Sequence, residues 1–352
     1  MPTSTSHNRF VERVVRVCGA HDDALTLRLA LLEEIRRVVS FGAHAWLLTD
    51  PETEVGSAPL ADVPCLDELP LLIRLKYLSS VNRWTQMEVP LRLLGTATRD
   101  ESEKSRTWRE LLASYGVNDV ASLVFRDGFG CWGFLDLWRM DPAPAFSEVE
   151  AELLARMAGP VTDALRRCQA RTFDLPASGP ERNGPVVLVL SPELEVRAQT
   201  PDTERYLRVL VPPDADRRPI PAGAYNVAAQ LIALEAGVDD HPPLARVHLR
   251  RGTWLTLRAS RIGEALPMSR REIAVTIEVA SAGERMALFA RAYGLSPRET
   301  ELLGHLAAGA DTRHIAQQMF LSGHTVQDHL KSIFSKSGAR TRRTLIARAL
   351  GR

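Results

Sequence analysis

Five polar side chains, His324, Gln327, Asp328, Lys331 and Ser335, fall at helical spacing, so a helix over this stretch carries them on one face. Their types suit the edges of base pairs. Gln can pair with adenine N6 and N7, Asp can accept from cytosine N4, and Lys can donate to guanine O6 and N7 or to a phosphate. Thr325 stands at the start of the same stretch, and Lys336, Arg340 and Arg342 follow it with charge suited to a phosphate backbone. The charge distribution points the same way. The net charge of +1 conceals a surplus of six in the segment from Glu284 to Arg352, where eleven Lys and Arg face five Asp and Glu; the rest of the chain carries −5. From Lys331 onward there are seven basic residues and no acidic one. The partner this implies is double-stranded DNA.

Short capped helices must position that face. Ser296, Pro297 and Glu299 make an S-x-x-E capping box with proline at the first helical position, and Leu302, Leu303 and Leu306 give the helix an apolar stripe. Gly309 ends it. Asp311 caps a second helix that buries Ile315, Ala316 and Met319. Ser322 caps a third, whose apolar side is Val326, Leu330, Ile333 and Phe334. Gly338 stops this helix, and Thr341 caps a fourth bearing Leu345, Ile346, Ala349 and Leu350. Helices this short, with a polar and basic outer face on the third, predict an all-α four-helix helix-turn-helix domain over 282–352.

The same stretch resembles the LuxR-type DNA-binding domain of bacterial transcription factors. The residues that carry the resemblance are Leu295, Pro297, Arg298, Glu299, Glu301, Leu303, Ala308-Gly309, Ile315-Ala316, Leu321-Ser322, Thr325-Val326, His329-Leu330, Ile333, Lys336, Gly338 and Arg342, without a gap. The resemblance implies that the helix from about His324 to Ser335 lies in the major groove. It implies base contacts from Gln327, Asp328 and Lys331, and a homodimer contact through Leu345, Ile346, Ala349 and Leu350. Two positions depart from the pattern: Gln327 stands where a basic residue is usual, and His314 where an acidic one is. Asp328 repels phosphate and so would restrict the operator.

Elsewhere the residues admit chemistry without completing a site. Five of the six tryptophans lie in the first half of the chain. Trp46, Trp84 and Trp132, with Cys131, are candidates to line a small-molecule pocket, against the plain reading of core packing. Cys131 could serve a thiol-based reductase with Cys65 as the resolving partner, which makes an enzyme with an accessory helix-turn-helix the alternative to a regulator. Asp22-Asp23 would suit a phospho-acceptor site, but no lysine follows a later strand as such a site needs, and a helix cap explains the pair. His324 and His329 have no third ligand nearby, so no metal site is expected, and the sequence leaves the cofactor unknown. No G-x-x-x-x-G-K-[ST] occurs.

At 352 residues, 45% hydrophobic and 25% charged, the chain reads as a multidomain globular protein. No apolar run approaches the ~18–20 residues of a membrane helix, the N-terminus shows no signal-sequence pattern, and a cytoplasmic location is expected. DLPASGPERNGP marks a linker over 174–185, and VPPDADRRPIPAG a long loop at Val211–Gly223. Residues 1–173 read as a helix over Ala24–Val39 with its stripe on Leu25, Leu29, Leu32 and Ile35, a strand at Ala43–Asp50, and helices near Glu68–Ser79 and Glu103–Tyr115. A hairpin turning at Asp127-Gly128 and a closing helix from Ser147 follow. That order resembles an α+β GAF-like sensor domain. Residues 186–281 read as two strands, two small helices at 201–210 and 226–237, a hairpin turning at Arg251-Gly252 and a last strand, which resembles an α+β PAS-like domain.

Overall fold

The structure is a computed structural model that describes residues 4–174, 186–203, 206–207, 221–249, 253–264 and 267–351. The linker expected at 174–185, most of the loop at 211–223, the Arg251-Gly252 turn and much of the helix expected at 201–210 lie outside the described residues. The chain forms two compact units. One is drawn from Met1–Leu165, Arg182–Val247 and Leu255–Glu278, the other from Arg166–Glu181, His248–Trp254 and Val279–Arg352.

The first unit opens with two helices, α1 (Ser4–Ala20) and α2 (Ala24–Arg36). Phe10, Val14 and Cys18, spaced by four, put one buried stripe on α1. Asp23 caps α2, its carboxylate accepting from the N–H groups of Leu25 and Thr26 at 3.1 and 3.0 Å, so the helix-cap explanation of the acidic pair holds. The stripe of α2 is rotated from the expected one. Leu27, Leu31, Leu32 and Ile35 are buried while Leu25 and Leu29 stay exposed. Arg28 turns inward among them and donates to the carbonyls of Trp46 and Ala58 at 3.0 and 2.8 Å.

Five strands form the first sheet: β1 (Ala43–Thr49), β2 (Gly56–Asp62), β3 (Leu91–Leu93), β4 (Val117–Asp127) and β5 (Gly130–Met140), in the order β2-β1-β5-β4-β3. The pairs β1–β2, β1–β5, β3–β4 and β4–β5 are antiparallel. Helix α3 (Leu69–Leu78), short helices α4 (Leu94–Thr98) and α5 (Arg106–Glu110), and the long α6 (Glu148–Arg171) accompany the sheet. Ser147 and Glu150 close a capping box on α6, at the start expected for this helix.

Two sequence expectations need correction here. The single helix over 103–115 is a 3-10 turn, α5 and a second 3-10 turn, because the chain bends at Leu111 (φ −141°, ψ −61°) to bury both Leu111 and Leu112. The hairpin depends on Gly130 and not on Gly128. Gly130 has φ +152°, and a Cβ there would sit 2.2 Å from the Pro51 carbonyl oxygen, whereas Gly128 has open space.

A second sheet holds β6 (Val186–Leu190), β7 (Val196–Gln199), β8 (Leu244–His248), β9 (Trp254–Arg261) and β10 (Ile273–Val279), ordered β7-β6-β10-β9-β8. Its strand order repeats that of the first sheet. With it comes α7 (Ala222–Glu235), buried along most of its length. The separate domains expected over 1–173 and 186–281 are joined in the first unit. Arg246 on β8 makes two 2.7 Å bonds to Asp50 in the first sheet's half, and both side chains are buried. Arg83 is likewise buried against Asp239, with a 2.7 Å bond from Nε.

In the second unit α8 (Ala282–Ala292), α9 (Pro297–Ala307), α10 (Thr312–Gln318), α11 (Gly323–Ser337) and α12 (Arg342–Leu350) follow one another closely. Phe173 belongs to this unit. It stacks on Trp254 at 5.4 Å, meets Phe289 edge-on at 5.4 Å and lies under the Arg285 guanidinium at 4.9 Å. The expected C-terminal domain therefore takes in side chains from before residue 282.

Candidate nucleic-acid interface

Each of the four C-terminal helices starts where the sequence places its cap. Ser296, Asp311, Ser322 and Thr341 accept from the backbone N–H three residues on, at 3.3, 2.8, 3.1 and 3.1 Å. The Asp311 bond goes to the N–H of His314, a group any residue supplies, so the departure at His314 leaves the cap intact. Leu302, Leu303, Leu306, Ile315, Met319, Val326, Leu330 and Ile333 are buried together as the core. Gly338, at φ +67°, ends α11.

One carboxylate ties the first of these helices to the third. Glu299, buried on α9, receives the Lys336 ammonium at 2.6 Å and the Ser332 hydroxyl at 2.5 Å, both from α11, and its own cap N–H from Ser296 at 2.6 Å. Burial opposes its ionisation, but the Lys336, Ser332 and Ser296 donors prevail and hold the carboxyl at about 2. Lys336, expected among the DNA contacts, thus has its ammonium committed within the domain.

On α11 the polar face stands clear of this core. His324, Gln327, Asp328, Lys331 and Ser335 are exposed, and Thr325 is half-buried behind its cap bond to Ser322. Asp328 sits between an imidazole and an ammonium, 3.5 Å from His324 Nε2 and 3.4 Å from Lys331 Nζ. Exposure keeps both contacts weak. Gln327 and Arg342 meet at one hydroxyl: Arg342 Nη2 donates to Thr312 Oγ1 at 2.7 Å and Gln327 Nε2 approaches it at 3.5 Å. Arg340 is exposed beside them. The structure therefore brings Gln327, Arg342 and Thr312 together and leaves His324, Asp328 and Lys331 as a second exposed group.

Thr312 and Glu299 organise the domain through contacts that leave no local sequence signal. Their partners lie 15 to 37 positions away, beyond any helical periodicity. Phe320, in the turn before α11, is 94% exposed with φ +55°, a conformation that costs an ordinary side chain free energy. The four residues expected at a dimer contact divide. Leu345 and Ala349 are fully buried in the domain core because α12 packs on α8 and α9, so only Ile346 and Leu350 retain exposed surface.

The other expected site residues lie in the first unit. Trp46, Trp84, Trp132 and Cys131 are all buried: Trp46 stacks on Phe125 at 5.3 Å, Trp84 on Phe134 at 4.3 Å, and Trp132 donates to Asp127 at 3.0 Å. Burial pushes the Cys131 thiol up to about 12 and the Cys65 thiol up to about 11, far from a reactive thiolate. All four cysteines are buried. No helix among the described residues is long and apolar enough to cross a membrane.

Comparison with known proteins places this geometry. Residues 293–349 match the family described as bacterial regulatory proteins, luxR family. Over 57 residues the chain is 42% identical to the probable HTH-type transcriptional regulator GfsR of Streptomyces halstedii. That stretch is 16% of this chain and 24% of the relative, so the match spans about a quarter of the curated relative's length. The C-terminal segment is a LuxR-type helix-turn-helix domain.

Proposed function

We propose that this protein is a sequence-specific DNA-binding transcription regulator. It binds its operator as a homodimer, and its upstream α+β region, GAF-like and then PAS-like, senses a ligand or partner. The observation that carries the reading is the polar face of α11: three side chains with base-edge chemistry, Gln327, Asp328 and Lys331, project to solvent from a helix held rigidly by Glu299. The repeated strand order of the two sheets supports a tandem of related sensor folds upstream. Arg340 and Arg342 supply backbone charge, and Ile346 with Leu350 supplies the surface for a second copy.

Selection of binding sites from a random DNA pool with the full chain tests this. The expected outcome is an enriched palindrome whose half-site centres lie about 10 bp apart, one helical turn. Failure to enrich any sequence, with affinity equal for all DNA, overturns the reading.

A further inference from the structure

A cavity in the first unit is lined by residues of which three carry a buried polar atom with no hydrogen-bond partner. It lies on the α3 side of the first sheet, where alternation along β4 and β5 aims Ser122, Asp136 and Trp138. Three of its buried polar atoms, Asn82 Oδ1, Thr107 Oγ1 and Ser122 Oγ, meet no hydrogen-bond partner. Orphaned buried polar atoms are costly singly, and three on residues that line one space mark it as a place for a polar ligand. They come from three separate elements, so no local turn explains them. Asn82 has a left-handed backbone at φ +50°, and its Nδ2 donates to the Arg92 carbonyl at 3.4 Å, which leaves Oδ1 as the unspent end of its amide.

The charges present cancel. Lys76 Nζ and Asp136 Oδ2 pair at 2.7 Å beside the cavity, so neither sign of ligand is favoured. Ser79 and Ser105 also line the space, but their hydroxyls are engaged with backbone groups, and Leu72, Leu94, Leu112, Val120 and Trp138 make the apolar wall. We propose that this cavity is the ligand site of the sensing region and that it takes a small uncharged molecule with a primary amide at one end and a compact apolar body. The amide matches the three orphans: its N–H2 donates to Asn82 Oδ1, and its carbonyl accepts from Thr107 and Ser122. The cavity measures about 30 Å3, room for a headgroup of about two or three atoms on the ~10–15 Å3 needed per water. The apolar body therefore lies toward Val81 and Lys76, the two lining residues that are only half-buried.

This inference rests on the sensing half of the proposed function and is tested without DNA. Isobutyramide, isobutyrate and isobutylamine are titrated against the full chain, with binding read by saturation-transfer NMR and stability by thermal melting. Isobutyramide is expected to bind saturably in the millimolar range, with the charged analogues at least about tenfold weaker because each brings an unpaired charge. Thr107→Val and Ser122→Ala are each expected to weaken amide binding about fivefold or more. Each should also leave the melting temperature equal or higher, because the hydroxyl removed has no partner to lose. If the amide shows no saturable binding, or binds both variants as it binds the native chain, the proposal is overturned. If both variants melt lower and no amide binds, the cavity holds structural water only, which also overturns it. Neither result touches the DNA selection, which fails or succeeds independently.

Discussion

Lys336 on α11 and Glu299 on α9 meet at 2.6 Å, and the carboxylate they share with Ser332 is almost fully buried. The pair fixes the third helix against the first and thereby sets where the α11 face points. Glu299 is held at about 2, below the ordinary carboxylate range, so its contribution is full above about pH 4.5 and is lost as pH falls toward 2. The C-terminal helices are expected to lose on the order of 2 kcal/mol over that range. Glu299→Gln should remove the pH dependence along with the stability. Melting the native chain and the variant between pH 2 and 6, followed by circular dichroism, checks this.

Asp328 offsets the charge of Lys331 on the reading face. Removing it in Asp328→Ala takes away a negative charge near phosphate and frees the ammonium of Lys331, so affinity for scrambled DNA should rise while preference for the operator relaxes. Lys331→Ala should act oppositely, costing about 1–3 kcal/mol at one base position if it grips guanine, or reducing the salt slope by about one if it grips phosphate. Binding to operator and scrambled DNA across a salt series separates these outcomes. Unchanged affinity, specificity and slope in both variants would remove α11 as the reading element.

The split of the fourth helix gives a paired test of the homodimer. Leu345 is in the core, and Leu345→Ala should destabilise the domain by about 2–5 kcal/mol. Ile346 is only half-buried, and Ile346→Glu should leave the melting temperature near native while converting a dimer to a monomer and weakening operator binding. Analytical ultracentrifugation of Ile346→Glu is the deciding measurement; an unchanged dimer places the contact elsewhere.

The C-terminal helices could be read from sequence because caps and a 3.6-residue stripe are local signals, and Ser296, Asp311, Ser322 and Thr341 act where their types imply. The first sheet resists such reading. Both faces of β4 and β5 are covered, so Val120 to Phe125 is continuously buried and shows no alternation, while β2, Gly-Ser-Ala-Pro-Leu-Ala-Asp, has the composition of a loop. The shared strand order of the two sheets leaves no sequence repeat, since backbone pairing can be met by many apolar patterns. Lys336 looked free because the residue that claims it lies 37 positions away. The cavity was missed for a related reason: Asn82, Thr107 and Ser122 are ordinary polar residues until folding buries them together.

Arg246 and Asp50 tie the first unit's two sheets together through a buried ion pair, which predicts that the sheets unfold as one body. Asp50→Ala leaves a buried guanidinium with Glu52, itself half-exposed, as its remaining carboxylate, and should cost about 3–5 kcal/mol. Both sheets should then melt together, in one transition at lower denaturant, and not one after the other. Tryptophan fluorescence reports the first sheet through Trp46 and Trp132, and hydrogen exchange at β6 and β10 reports the second. A variant in which only the second sheet loosens would show that the two fold independently.

Burial makes a specific claim about the thiols. Cys131, fully buried and with its thiol pushed up to about 12, should not react with iodoacetamide at pH 7 while the protein is folded, and Cys65, at about 11, should behave alike. All four cysteines should label together only in denaturant, at a rate set by global unfolding. Mass spectrometry of timed labelling reads each site separately. Selective modification of Cys131 in the folded chain would show a reactive thiolate and bring back an enzyme built on the first sheet. Uniform protection leaves Cys131 as a packing residue, beside a backbone that Gly130 and Pro51 bring into close approach.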